Sequence, residues 1–174
     1  AMLTHANLDS AARQSLASAG GDRPIVLEGQ ERMLAVLPPF HIYALTVNVL
    51  FGVLSGWEIV QHVRFDPKDV LGDISTKKIS VFCGVPTMFT ALLNHPATAS
   101  HDLRSLKFCG SGGAPLPVEV AERFAAVTGV TPSEGWGMTE TSPTGTFTPG
   151  QVGAKRKIGS CGIPSPGITI KFLN

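Results

Sequence analysis

The residues best suited to chemistry lie close together in the segment Glu-Gly-Trp-Gly-Met-Thr-Glu at 134–140. The indole of Trp136 offers a flat apolar face that could stack on a purine, and Glu134 could accept a hydrogen bond from an exocyclic amine. Thr139 offers a hydroxyl to a phosphate oxygen, and Glu140 is the kind of carboxylate that holds Mg²⁺ together with substrate phosphates. Taken singly, these residues also fit a core tryptophan, a helix cap and solvated glutamates. Their density favours a nucleotide site.

A glycine-rich turn, Gly-Ser-Gly-Gly-Ala-Pro at 110–115, follows a strand-like run and precedes a helix. Its glycines allow positive φ angles and a close approach of the backbone to a flat or anionic ligand. One alternative is the dinucleotide-binding pattern G-x-G-x-x-G, because Gly110 and Gly112 match its first two positions and Glu134 lies roughly 20 residues further on. Pro115 stands at the third glycine and argues against it. A plain tight turn is the simplest interpretation of this segment alone.

Strand-like and helical patterns alternate along the chain. Strands are predicted to begin near residues 33, 57, 79 and 106. Helices are predicted over 4–19 with Gly20-Gly21 as the stop, over 41–54, from Asp66-Pro67 onward, over 86–93 and over 118–127. This alternation predicts an α/β fold with a doubly wound, mostly parallel sheet and flanking helices. Such sheets bind ligands at the carboxyl ends of their strands, where both loops described above are expected.

The pattern changes after Thr144. Residues 145–167 hold several glycines and prolines and the basic cluster 155–157, and residues 168–172 alternate between apolar and polar. We therefore expect an α/β core over 1–144, followed over 145–174 by Gly/Pro-rich loops and the start of a β region. The fold would then carry a small β extension at its C-terminal end.

Composition narrows the classes of partner. A formal net charge of +1 and 43% hydrophobic residues give no reason to expect nucleic acid or an anionic membrane. Three widely spaced cysteines argue against cysteine ligation of a metal and favour a reducing cytoplasm. The longest apolar stretch, 42–54, is shorter than the about 20 residues that span a bilayer. We expect a cytoplasmic protein without an integral membrane segment, and the sequence does not indicate an oligomeric state.

Five segments carry a family resemblance. They resemble, in order and spacing, the adenylate-forming (acyl-CoA synthetase) superfamily, above all bacterial long-chain fatty acid–CoA ligases and the 4-coumarate–CoA ligase group. The segments are 38–45, 84–89, 110–116, 134–143 and 158–164. The resemblance implies a two-step reaction, in which a carboxylate attacks the α-phosphate of ATP to give an acyl-adenylate and pyrophosphate, and CoA then displaces AMP. It implies ATP, Mg²⁺ and CoA as cofactor and co-substrates, and a small carboxylic acid as substrate.

The same resemblance assigns roles to residues of this chain. Thr139 would contact the α-phosphate, and Glu140 would hold Mg²⁺; these two are the expected catalytic residues. The adenine slot would be formed by Gly112, Gly113, Ala114, Pro115, Glu134, Gly135, Trp136 and Gly137. The pocket for the acid would be bordered by His41, Gly110, Ser142 and Pro143. For His41 a second interpretation stays open, since a histidine at a helix start often serves as a cap.

The departures from the family pattern are also informative. A Ser/Thr/Gly-rich phosphate loop is expected before Ala1, and a ribose-binding Thr-Gly-Asp segment and a small domain with a catalytic lysine are expected after Asn174. We therefore interpret the chain as a middle fragment of the large N-terminal AMP-binding domain and expect it to be inactive alone. Amino-acid-activating relatives carry Asp at the position of His41, so an acid without an α-amino group is favoured. A fatty acid is the first choice, with an aryl acid or a non-catalytic ATP/AMP-binding module as alternatives.

Overall fold

A five-stranded parallel sheet forms the centre of the computed structural model, which describes residues 1–20 and 22–173. The strands are β1 (Arg32–Ala35), β2 (Glu58–Gln61), β3 (Val81–Gly84), β4 (Phe108–Ser111), β5 (Ser133–Glu134), β6 (Thr146–Phe147) and β7 (Ile163–Pro164). The order in the central sheet is β2-β1-β3-β4-β5, and every neighbouring pair is parallel. The two remaining strands, β6 and β7, form a short antiparallel pair. The predicted α/β fold, with a mostly parallel sheet and a small C-terminal β extension, is confirmed.

Five α-helices accompany the strands in the described part of the chain. They are α1 (His5–Ala19), α2 (Phe51–Leu54), α3 (Pro67–Lys77), α4 (Pro86–Asn94) and α5 (Val118–Thr128), with a π-helix at Ala44–Leu50 and 3₁₀ turns at Pro96–Ser100 and Thr139–Thr141. Their ends follow from local chemistry, since Thr4 and Asp66 accept hydrogen bonds from the first turns of α1 and α3. Gly129 ends α5 in the left-handed conformation. Within the described ranges, none of these helices has both the length and the apolar character that crossing a membrane requires.

Alternating strand residues explain why helices cover both faces of the sheet. Leu34, Phe82 and Cys109 are buried in one apolar cluster with residues of α3, α4 and α5. Met33 and Val81, their neighbours along the chain, belong to a second cluster that involves α1, α2 and the π-helix. Successive side chains of a strand point to opposite faces, so strands buried on both sides require a helical layer on each. This arrangement is the doubly wound sheet that the alternation predicted.

Three details differ from expectation. The helix predicted over 41–54 is continuous, but residues 44–50 adopt the wider π geometry, which the apolar pattern does not reveal. The two-residue strand β5 was not predicted, because its length gives no periodic signal. Residues 168–172 alternate as expected of a strand but form none, since no neighbouring strand in the described ranges pairs with them. Gly21, half of the predicted stop of α1, lies outside the described residues, and Gly20 follows the last helical residue.

An ion pair between the buried carboxylate of Glu31 and the half-exposed Lys107 joins the amino-terminal ends of β1 and β4. The side chain of Glu31 accepts hydrogen bonds from the Leu27 backbone N–H and from Lys107 Nζ, both at 2.9 Å. Burial by itself raises the pKa of Glu31, but the nearby Ser80 hydroxyl, the hydrogen bonds from Leu27 and Lys107 and the charge of Lys107 outweigh it, so the pKa is lowered. Glu31 therefore links three parts of the chain as a buried carboxylate.

Candidate functional site

A cleft of about 450 Å³ lies over the carboxyl ends of β3, β4 and β5. Its volume is within the range of roughly 300–1,000 Å³ typical of ligand pockets. The glycine-rich turn after β4 and the loop after β5 form one wall, and residues of α1, the π-helix and α2 form the other. This is the position at which a doubly wound sheet is expected to bind ligands.

Glu134 connects the two loops. In the register of β4 and β5, Ser111 lies beside Glu134. Glu134 Oε2 accepts a hydrogen bond of 3.0 Å from the backbone N–H of Leu116, directly after the turn 110–115. The turn is thereby fixed to β5 by the same carboxylate that the sequence assigned to an adenine amine. Oε1 has no hydrogen-bond donor within residues 1–20 and 22–173, so one oxygen remains for a ligand.

Trp136 lies on the wall of the cleft, and the residue is 48% exposed. Its backbone is paired with Thr146: Trp136 N donates to Thr146 Oγ1 at 3.0 Å, and Thr146 N donates to Trp136 O at 2.8 Å. The ring is seated on Gly145, where an added Cβ would lie 2.5 Å from indole Cε3. The contacts with Thr146 and Gly145 therefore fix the position of the half-exposed ring, and its exposed area is available for stacking, as an adenine site requires.

Thr139 and Glu140 follow in a 3₁₀ turn and also line the cleft. Both residues are exposed, and neither side chain has a hydrogen-bond partner in the described ranges. The turn is held on either side, because Gly137 packs against the Pro143 carbonyl and Thr46 Oγ1 donates to the Ser142 carbonyl at 2.9 Å. Two side chains with oxygen ligands are thus presented from a fixed backbone.

The donor set fits a Mg²⁺ ion shared with phosphate. Glu140 is an unpaired carboxylate, and a hard cation of this kind commonly takes one or two carboxylates together with substrate phosphates and water. In residues 1–20 and 22–173, no group of three or more His, Cys, Asp and Glu side chains is placed to hold a metal. A Mg²⁺ ion at Glu140 would therefore take its other ligands from the nucleotide and solvent.

The remaining predicted residues divide between the cleft and its surroundings. Gly110, Gly112, Gly113, Gly135, Gly137, His41 and Pro143 line the cleft. Ala114 and Pro115 lie on the exposed part of the turn, outside that lining. Ser142 is buried and contributes its carbonyl to Thr46 rather than a side chain to the cleft. His41 lies at the rim, and its Nδ1 accepts a hydrogen bond of 3.2 Å from Tyr43 N, so it also caps the helix.

The apolar end of the cleft was not predicted from the sequence. Tyr43, Val47 and Phe51 line it at intervals of four residues, a helical spacing that was the available signal. The Tyr43 ring lies against the glycine-rich strand end, since a Cβ on Gly112 would be 3.1 Å from its Cε1 and Cζ. Further apolar lining residues include Val26, Trp57, Cys83 and Phe108.

The ionisable groups of this end are neutral. Burial raises the pKa of Cys83 to about 12, and hydrogen bonds from the Gly110 backbone and Tyr43 lower it only in part. Burial, followed by the neighbouring Cys83, raises the pKa of Tyr43 well above its usual value. The phenol and the thiol therefore stay protonated at neutral pH, and this end of the cleft is uncharged.

Sequence comparison places the chain in a family. The family model described as "AMP-binding enzyme" matches residues 1–174. The chain belongs to the AMP-binding enzyme family. It is 40% identical over 141 residues to the long-chain-fatty-acid–CoA ligase of Bacillus subtilis, an alignment that covers 81% of this chain and 25% of that protein. It is 37% identical over 165 residues to a feruloyl-CoA synthase of Amycolatopsis, covering 95% of this chain and 32% of that protein.

Solved structures of the family have the same fold. ATP-bound MatB from Rhodopseudomonas palustris matches with a TM-score of 0.82 and 27% identity, over 96% of this chain and 31% of that one. The anthranilate CoA ligase AuaEII in complex with anthranoyl-AMP matches with a TM-score of 0.81 and 26% identity, over 94% of this chain and 30% of that one. The chain therefore spans between a quarter and a third of the length of these AMP-binding enzymes.

Proposed function

We propose that this chain forms part of the active site of an ATP-dependent acyl-CoA ligase. The enzyme would activate a carboxylic acid as its acyl-adenylate and transfer the acyl group to CoA. The observation that carries the proposal is that one cleft joins two chemically different ends. Trp136, Thr139 and Glu140 are grouped at one end, and an uncharged apolar pocket forms the other.

The polar end supports the adenylation step. An adenine ring would lie between the turn 110–113 and the exposed face of Trp136, and the free Oε1 of Glu134 would accept from its amine. Thr139 would donate its hydroxyl to an α-phosphate oxygen. Bound Mg²⁺, held by Glu140, would supply positive charge at the phosphate. Donors and cations fixed before the reaction stabilise charge on a transferring phosphoryl group without further reorganisation.

The apolar end supports an acid without an α-amino group. Its groups are neutral, and His41, rather than a carboxylate that would pair with an ammonium, lies at the rim. A fatty acid therefore fits better than an amino acid. The names of the Bacillus subtilis and Amycolatopsis relatives include both a fatty acid and an aryl acid. An aryl acid is accordingly the second candidate substrate.

We further propose that the 174-residue chain is inactive by itself and works within a longer protein, in the cytoplasm. The curated relatives are three to four times as long as the stretch they share with it, as the 25% and 32% coverage shows. The purified chain is expected to form no thioester from ATP, CoA and any acid. Formation of a thioester by the purified chain would refute this expectation.

The substitution Glu140→Gln in a full-length protein that contains this chain tests the adenylation site. The amide keeps the shape of the side chain but removes a hard anionic ligand, so we expect acid-dependent pyrophosphate release to fall by about 10²–10³-fold. AMP affinity should be nearly unchanged, because the adenine contacts remain. Glu122→Gln, an exposed change on α5 away from the cleft, is the matched control and should retain full turnover.

Other outcomes would decide between the alternatives. If Glu140→Gln keeps the turnover of the wild type at limiting Mg²⁺, Glu140 is not a ligand of the metal in this site. ATP binding without pyrophosphate release for any acid would establish a non-catalytic nucleotide-binding module. Selective use of amino acids would contradict the acyl-CoA ligase proposal, and tight NAD binding without ATP binding would favour a dinucleotide site at the turn 110–115.

A further inference from the structure

The apolar end of the cleft is closed by an aromatic pair. Phe51 and Trp57 lie edge to face with ring centroids 4.7 Å apart, and both line the cleft. They are only 6% and 7% exposed, so they form a buried wall rather than a mouth that opens to solvent. The cleft therefore has an open polar end and a blind apolar end.

The position of this wall is fixed by contacts outside the cleft. Trp57 Nε1 donates to the Leu27 carbonyl at 3.0 Å, which satisfies the one polar atom of the indole and sets the ring orientation. Val26, Met33 and Val81 pack into the same buried cluster as the two aromatic residues. A well-packed wall of this kind resists displacement, because moving it would open a void in the cluster.

We propose that the Phe51–Trp57 pair limits the length of the acyl group, so that the substrates are medium-chain acids of up to about ten carbons. This inference rests on the proposed ligase function. It adds to that function a substrate class and a specificity-determining residue, Trp57, which directly precedes β2 in the chain.

The geometry of the sheet gives the distance that is available to the acyl chain between Gly110 and the aromatic pair. Gly110 and Phe108 both line the cleft, and Phe108 lies two residues before Gly110 in β4 on the same face. In the proposed function, Gly110 borders the carboxyl end of the acid. The aromatic pair packs with Met33 of β1, two strands away from β4. Two strand spacings of about 4.8 Å and two residues of about 3.3 Å give a diagonal of roughly 12 Å, about the length of an extended chain of ten carbons. The extended chain of palmitate is longer than this diagonal.

The test is the chain-length profile of the full-length protein, measured as kcat/KM for saturated acids from hexanoate to stearate. The wild type should use octanoate and decanoate and should discriminate against palmitate by at least about 10-fold. Trp57→Ala should extend the profile to palmitate. Val47→Phe places a larger side chain inside the cleft and should shift the preference to shorter acids, which provides a second readout if Trp57→Ala does not fold.

Val53→Ala is the control, because Val53 belongs to the same helix as Phe51 but is 67% exposed and lies outside the cleft lining. Its profile should equal that of the wild type. Equal kcat/KM for palmitate and octanoate in the wild type would overturn the length limit and leave the ligase proposal standing. A profile unchanged in both Trp57→Ala and Val47→Phe would also overturn it. Absence of pyrophosphate release with every acid would refute the ligase proposal, and the length limit with it.

Discussion

Gly145→Ala tests whether the packing of Trp136 against Gly145 matters for nucleotide binding. The added Cβ would lie 2.5 Å from indole Cε3, 2.7 Å from Cζ3 and 2.7 Å from the Trp136 carbonyl oxygen. The half-exposed ring can swing away, but the carbonyl cannot, since it accepts a hydrogen bond from Thr146 N at 2.8 Å. We therefore expect the methyl group both to displace the indole and to strain the pairing of residues 136 and 146.

The magnitudes follow from these two effects. Overfilling a packed site costs about 1–3 kcal/mol of folding stability. We expect a loss near the middle of this range, because movement of the indole ring relieves part of the strain. Stacking of a base on an aromatic ring contributes about 1–3 kcal/mol. Partial loss of the stack, about 1–2 kcal/mol, corresponds to an affinity for ATP that is about 5–30-fold weaker.

Two measurements on Gly145→Ala check the argument. Urea unfolding of the 174-residue chain gives the loss of stability, and titration of the full-length protein with ATP gives the loss of affinity. In a double-mutant cycle, Trp136→Ala should remove most of the effect of Gly145→Ala on affinity, because both changes act on one ring. Gly72→Ala is the control: its Cβ meets open space in α3, so it should stabilise the chain by about 0.8–1.0 kcal/mol. Unchanged ATP affinity together with an unperturbed indole spectrum in Gly145→Ala would refute the reasoning.

Two further predictions concern buried groups. Glu31→Gln should lower the free energy of unfolding at pH 7 by about 1–3 kcal/mol, because a charge-assisted hydrogen bond to Lys107 is lost. The folded-state pKa of Glu31 is lowered, so its contribution is present above the usual value of 4.5 and is lost as the pH falls through the folded pKa. Urea unfolding at decreasing pH should accordingly show a smaller loss of the free energy of unfolding in Glu31→Gln than in the wild type. Equal losses in the two proteins would contradict the lowered pKa of Glu31. A thiol reagent should label one cysteine quickly in the native chain and three after denaturation, because Cys161 is exposed whereas Cys83 and Cys109 are buried and the pKa of Cys83 is raised to about 12. Rapid labelling of a second native cysteine would contradict the burial.

Much of the polar end of the site could be read from residue types and spacing. Trp136, Thr139 and Glu140 lie within one short loop, so chain connectivity alone places them together. The structure brings these residues to the cleft wall, as a loop at the carboxyl end of a parallel strand implies. Glu134 shows the limit of this reasoning, because its hydrogen bond to Leu116 depends on two loops that are 18 residues apart.

The apolar end of the cleft could not be predicted from residue types and spacing. Phe51, Cys83 and Phe108 lie in three different elements and Trp57 lies in the segment before β2, and each also fits an ordinary core position. Whether such a residue fills the core or lines a cavity depends on what the opposite layer leaves empty, which the local pattern does not contain. The spacing of Tyr43, Val47 and Phe51 identifies one face of a helix, but not what that face contacts.

The sequence alone is enough to predict the alternation of strands and helices, the capped starts of α1 and α3 and the grouping of Trp136, Thr139 and Glu140 in one loop, because these depend on neighbouring residues. Two features depend on tertiary structure: the hydrogen bond between Glu134 and Leu116 and the blind end formed by Phe51 and Trp57. The physical reason is the same for both. Each is decided by contacts between segments distant in the chain, where the packing of one layer determines the space and the hydrogen-bond partners available to another.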